Sequence, residues 1–184
     1  TRERERRVIE ARAWVAEGRA TSEAWKAIKL ELRSLEEGVR QKARTIAPWS
    51  PIEVKEPLWL LEDRVSERQL DAVGAFEEAE AAFMRALGDV PDDKEARSAL
   101  SALYAARFQE AERNRDREAA RYYRRLVSRF DDGLWTRVLD GTGTLGIESE
   151  PGGLRVTLAK LEVERRVVRA GTRRELGRTP IARL

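Results

Sequence analysis

The chain is expected to be mainly α with a small C-terminal β module, and three observations carry that expectation. Apolar residues recur at three- and four-residue steps over most of the first 140 positions, which is the signature of amphipathic helix. Prolines and glycines break this pattern at only a few places, which divides it into long helices. After Asp140 it gives way to short apolar alternation with Gly and Pro punctuation, over Gly143-Thr144-Leu145-Gly146-Ile147-Glu148-Ser149-Glu150-Pro151-Gly152-Gly153-Leu154-Arg155-Val156. The expected division is a helical domain over 1–140, with a Pro-rich connector at 47–58, and a β module over 141–184.

From Arg4 to about Ile46 no proline intervenes, and Trp25, Ile28, Leu32, Leu35, Val39 and Ile46 form a heptad seam. Upstream, Val8, Ala11, Val15 and Gly18 continue the seam but fall out of register with Trp25 across Gly18 to Ser22. One long helix with a local stutter explains this, as does a first helix ending at Gly18 with Thr21 or Ser22 capping a second. The first reading is favoured, because Arg19-Ala20 is a poor turn and a helix-interior Gly costs only about 1 kcal/mol. Pro48, Pro51 and Pro57 then exclude helix from Ala47 to Glu56. Helix resumes near Trp59 and runs to about Leu87, with Leu60, Val65, Leu70, Val73, Phe76, Ala79, Phe83 and Leu87 on or near one face, and Gly88 ends it. Asp92 or Asp93 caps a helix to Arg113, Asn114-Arg115-Asp116 breaks it, and a last helix covers Arg117 to Phe130.

Composition narrows the function. The 184 residues are enough to bury a core, and 41% hydrophobic with 38% charged residues describes a folded chain with a heavily charged surface. There is no Cys, which removes thiolate chemistry and Cys-ligated metal sites, and no His, which removes the commonest general base and transition-metal ligand. The formal charge of +3 argues against a dedicated polyanion binder, although residues 141–184 hold 9 basic and 5 acidic residues against 27 and 28 before them. The start Thr1-Arg2-Glu3-Arg4-Glu5-Arg6-Arg7 lacks the apolar core of a signal peptide, and no apolar run is long enough to span a membrane, so a soluble, cytoplasmic chain without membrane contact is expected. Thr1 in place of Met, and an end at Leu184 without a closing element, predict a fragment of a longer protein.

Candidate chemistry is sparse. Asp92-Asp93 and Asp131-Asp132 sit beside helix ends and are read as caps or turns instead of metal ligands. Gly141-Thr142-Gly143-Thr144 has the opening of a phosphate-cradling loop but leads into a strand without the Gly-Lys-Ser/Thr that such a loop needs. Arg121, Arg124, Arg125 and Arg129 read as a solvated helix face. Arg165, Arg166, Arg169, Arg173 and Arg174 crowd the β module and are a candidate docking surface for an acidic partner. Trp49 and Trp59 are either a partner-binding surface or the plug that docks the connector on the helices; the plug is favoured, because Trp burial anchors loops. No catalytic, cofactor-binding or metal residue is expected.

Two resemblances follow. Ala79/Ala119, Phe83/Tyr123 and Leu87/Val127 stand forty residues apart, and Ala79…Phe83…Ala86…Pro91 resembles the second half of a tetratricopeptide (TPR) repeat, with Leu100, Ser101 and Tyr104 where the next repeat would begin. This predicts TPR-like antiparallel helical hairpins, with plain antiparallel bundle packing as the alternative. Gly143-Thr144-Leu145-x-Ile147-x-Ser149-x-Pro151-x-Gly153-x-x-Val156, followed by Leu176-Gly177-Arg178-Thr179-Pro180-Ile181, resembles a PEGA-type domain. That resemblance implies an incomplete β-sandwich in which 159–175 is a charged hairpin insertion and the last strands lie beyond Leu184. Together with Pro48-Trp49-Ser50-Pro51 and Trp59-x-x-Glu62-Asp63, the chain is similar to the connecting region of large deltaproteobacterial Ser/Thr protein kinases that also carry a formylglycine-generating-enzyme-like domain. The resemblance implies that kinase or formylglycine-type activity belongs to domains absent here. The expected function is a noncatalytic protein-interaction and spacer module, partnered by another protein or by neighbouring domains. A regulatory segment dimerising through the N-terminal helix and an Arg-rich nucleic-acid-binding module are the alternatives.

Overall fold

The computed structural model describes residues 2–141 and 145–182; Thr142, Gly143 and Thr144, and with them the phosphate-cradle reading, lie outside the described residues. The chain is mainly α with a small C-terminal β module. It divides into two compact units, 1–135 and 136–184, so the boundary falls five residues before the Gly141 seam. The first unit contains α1 (Arg2–Arg44), α2 (Ile52–Asp89), α3 (Lys94–Arg113) and α4 (Arg117–Phe130). The second contains a short α5 (Thr136–Leu139) and strands β1 (Arg155–Glu164) and β2 (Val167–Arg178).

α1 is one uninterrupted helix of 43 residues, about 65 Å long at 1.5 Å per residue. Its buried positions are Ala11, Val15, Gly18, Ser22, Trp25 and Leu32, an unbroken alternation of four- and three-residue steps until the last. The expected stutter is therefore absent: the seam keeps register because the small residues Gly18 and Ser22 occupy it. The reason lies on α2, where the buried Phe83 ring presses onto Gly18. A Cβ placed there would come within 2.6–2.9 Å of the ring. Gly18→Ala is thus expected to destabilise the unit by about 1–2 kcal/mol despite the better helix propensity of Ala, since the buried ring must shift to admit the methyl group. Urea unfolding followed by circular dichroism checks this, and a raised midpoint would contradict it.

α1 and α2 pack antiparallel: Trp14 meets Arg85, Trp25 meets Phe76 and Glu31 meets Arg68. The α1 seam is consumed in this pairing, so dimerisation through that seam would require the hairpin to open. α2 begins five residues earlier than the prolines suggested and contains Pro57. Pro57 forfeits only the bond to the Glu53 carbonyl. The turn before it is held by Val54 N–H donating to the Pro51 carbonyl at 3.2 Å and by Lys55 Nζ donating to the Pro48 carbonyl at 2.6 Å. The expected single apolar face of α2 also splits. Ala72, Ala79, Ala82, Phe83 and Ala86 are buried, whereas Leu60, Leu70 and Val73 are exposed, because at about 100° per residue they lie well round the helix from the buried row.

Asp93 caps α3 by accepting from Ala96 N–H at 2.8 Å, and Asp116 caps α4 by accepting from Ala119 N–H at 3.0 Å. Asp131 likewise accepts the Trp135 N–H. α3 lies beside α1 in the same direction, tied by Arg19–Glu95 at 2.9 Å and by Lys29–Glu110, and α4 returns antiparallel along α3. Two antiparallel hairpins thus stack. Leu100, Ser101 and Tyr104 are buried at the junction, with Phe83 and Val127 from the two segments that echo at forty residues.

In the second unit, β1 and β2 form one antiparallel two-stranded sheet with two register shifts. Among the described residues the expected sandwich is reduced to this sheet and an isolated bridge, Ile147↔Ile181. The segment 159–175, read as an insertion, supplies most of both strands. The motif residues Ser149 and Thr179 meet through their hydroxyls at 2.5 Å, and Thr179 Oγ1 accepts the Leu154 N–H at 3.0 Å. At the hairpin tip Arg165 and Arg166 have φ of 50° and 67°, the left-handed pair of a two-residue turn that favours Asn-Gly. Arg165→Asn with Arg166→Gly is expected to stabilise the hairpin by about 1 kcal/mol. Slower amide exchange at Glu164 and Val167, the pair that closes the turn, would show it, and unchanged protection there would contradict it.

Candidate interaction groove

A groove of about 500 Å³ lies where α1, α2, α3 and α4 converge. Trp25 and Leu32 from α1 and Ala72, Val73 and Phe76 from α2 line it with apolar surface. Phe76 is the centre of an aromatic cluster, with Trp25 edge-on at 5.8 Å and Tyr123 edge-on at 6.3 Å. Tyr122, exposed on α4, packs against Tyr123 at 5.1 Å.

The polar side of the groove is built by one half-buried carboxylate serving two cations. Glu110 Oε2 accepts from Arg107 Nη1 at 2.7 Å, and its other oxygen accepts from Lys29 Nζ. Burial alone would raise the Glu110 carboxyl, but the hydrogen bonds and charges of Lys29 and Arg107 outweigh it and hold the group below its ordinary value. The Arg107 guanidinium stacks 5.5 Å from the Phe76 ring centre and 5.2 Å from that of Tyr123, and Nε donates to Tyr123 Oη at 3.2 Å. Tyr104 donates its hydroxyl to Glu80 Oε1 at 2.5 Å; burial, reinforced by that carboxylate, pushes the Tyr104 hydroxyl up. Lys29, Glu80, Arg107, Glu110 and Tyr123 are thus engaged, while the side chains of Glu36, Gln69, Glu77, Asn114 and Tyr122 line the groove without a hydrogen bond or ion pair. Such a groove can grip a side chain by shape, aromatic contact and charge. Among the described residues, no group of three or more Asp or Glu is placed to hold a metal ion.

The residues singled out from sequence fall in different settings. Trp49 is not a plug: it is 86% exposed, because Ala47-Pro48-Trp49-Ser50 forms a tight turn, closed by Ser50 N–H on the Ala47 carbonyl at 2.9 Å, that carries the ring at its apex. Trp59 is also exposed, on the side of α2 away from its buried face. In the β unit, Arg165 and Arg166 form the hairpin tip, Arg169 pairs with Glu164 at 3.3 Å, and Arg173 and Arg174 stand opposite Ala159 and Leu158 in β1. Arg165, Arg166, Arg173 and Arg174 have no hydrogen bond or ion pair among the described residues. Sequence reasoning missed Lys29, Arg107 and Glu110. The i, i+3 spacing of Arg107 and Glu110 could have suggested that pair; Lys29 is 81 positions from Glu110 and carries no such signal.

Comparison with protein-family models, with curated proteins and with solved structures yields no match. Among the described residues no helix is long and apolar enough to cross a membrane.

Proposed function

We propose that this chain is a noncatalytic protein-interaction and spacer module of a larger, cytoplasmic, multidomain signalling protein, in the manner of the connecting region of the Ser/Thr kinases it resembles. The observation that carries the reading is the open, aromatic-lined groove between the two stacked helical hairpins, in which Lys29, Arg107 and Glu110 tie the walls to each other. Stacked hairpins suit such work because they present extended concave surfaces. The length of the α1–α2 pair supplies the spacing.

The test is capture without turnover. The 184-residue chain should neither bind nor hydrolyse ATP, and it should retain a partner that mass spectrometry identifies and that rebinds saturably as purified protein. Robust ATP hydrolysis, or no saturable partner, overturns the reading. A second reading, polyanion contact by the β hairpin, is favoured by the four unpartnered arginines on 155–178, which holds 8 basic against 3 acidic residues. A fluorescence polarisation titration with single- and double-stranded oligonucleotides tests it, and salt-insensitive or absent binding dismisses it.

A further inference from the structure

α2 has two apolar faces, of which the fold uses one. On a side of α2 outside its buried row, Ile52, Trp59, Leu70 and Val73 fall within an arc of about 60° at 100° per residue. All four are exposed, Ile52 by 62% and Leu70 by 73%. Lys55, Ser66 and Glu77 share that arc, so the apolar residues stand as two pairs, Ile52 with Trp59 and Leu70 with Val73. Their surroundings are acidic. Glu56, Asp63, Glu67 and Glu77 project on the same side, all exposed and none with a hydrogen bond or ion pair. The one cation among them, Lys55, is spent on the Pro48 carbonyl. α2 as a whole carries ten acidic and four basic residues.

The row runs from the Trp49 turn to the groove, where Val73 and Glu77 belong to both. The seat there is bounded by Phe76 and Tyr122 and by the free carboxylates of Glu36 and Glu77, which suits one large anchor followed by a basic side chain. The geometry points to a cationic amphipathic helix of a partner protein as the occupant of this face, with its apolar side on Ile52, Trp59, Leu70 and Val73, its Lys or Arg residues against the four carboxylates, and its end in the groove. A helix matches a straight row spanning about 30 Å, because its own i, i+3, i+4 and i+7 residues repeat along the same line. A second copy docking α2 on α2 is disfavoured, because it would set these carboxylates against each other. This inference rests on the reading of the chain as an interaction module and names the partner class.

The test uses the whole chain and two labelled synthetic helices of about five turns with the same Leu row, one carrying Lys and the other Glu at every remaining position. Fluorescence anisotropy should show saturable binding of the Lys helix only, weakening about tenfold or more between low and high salt. Leu70→Gln with Val73→Gln should weaken it about tenfold through lost apolar contact, as should Asp63→Lys with Glu67→Lys through lost charge. All four sites are exposed, so an unchanged far-ultraviolet spectrum is expected of the variants. The assignment is overturned if neither helix binds, if both bind alike, or if binding ignores these substitutions. It is also overturned if sedimentation shows a dimer that Leu70→Gln with Val73→Gln dissociates, since a second copy then owns the face. Undiminished capture of the natural partner by the Leu70→Gln, Val73→Gln chain would remove this face while leaving the interaction reading intact.

Discussion

Phe83→Ala is expected to lower the stability of the helical unit by about 3–4 kcal/mol, the range for truncating a fully buried aromatic side chain. The ring is 1% exposed and sits against Gly18 of α1, beside Leu103 of α3, so it closes the point at which three helices meet. A neighbouring cleft of about 280 Å³ already borders it, and loss of the ring would merge with that space instead of being filled by collapse. The substitution also reverses the sign at Gly18. Without the ring, Gly18→Ala meets no obstacle and contributes its helix propensity of about 1 kcal/mol, so the double variant should be more stable than Phe83→Ala alone. Urea unfolding of the four proteins of this cycle measures the coupling, and strict additivity would refute the account of why Gly occupies position 18.

Glu110→Gln is expected to cost about 2–3 kcal/mol at neutral pH, because it leaves Lys29 and Arg107 partly desolvated without their shared counter-charge while keeping the shape of the side chain. Its pH dependence gives the diagnostic signature. The folded carboxyl lies below its ordinary value of 4.5, so the ionised group stabilises the fold at all pH above that value, and the contribution fades as pH falls through the lower folded value. The gap between wild type and Glu110→Gln should therefore be constant from neutrality to about pH 5 and close at more acid pH. Denaturant midpoints across this range test it, and a gap that persists in acid would show that the cost is steric.

These two sites also mark how much of the molecule could be read in advance. The cap at Asp93, the breaks at 89–93 and 114–116, the heptad row of α1 and the change of character near residue 140 are local signals, each written within a few residues, whereas Asp116 reads from sequence only as part of a break. The connector at 47–58 was overextended, since Pro57 is tolerated where a single backbone bond is at stake. The register across Gly18 and Ser22 was misread because a small residue in a seam resembles a break until its partner is known. For the groove, local reasoning identified the aromatic residues but not their convergence. Likewise Leu70 and Val73 looked like core because hydrophobicity and helical spacing alone do not say which of two apolar faces a neighbour will cover.

By itself the sequence determined the mainly helical class with a small C-terminal β module, the cap at Asp93, and the exclusion of thiol and imidazole chemistry, because these follow from residue type and from periodicities of two to four positions. Only the tertiary structure decided that the α1 seam is consumed within the chain, that Trp49 stands in solvent at a turn, that Lys29 and Arg107 share Glu110, and that α2 keeps an acidic apolar face uncovered. Those outcomes depend on which surfaces of distant segments meet, and packing between them is selected by shape and charge over the whole unit, not by any local stretch of chain.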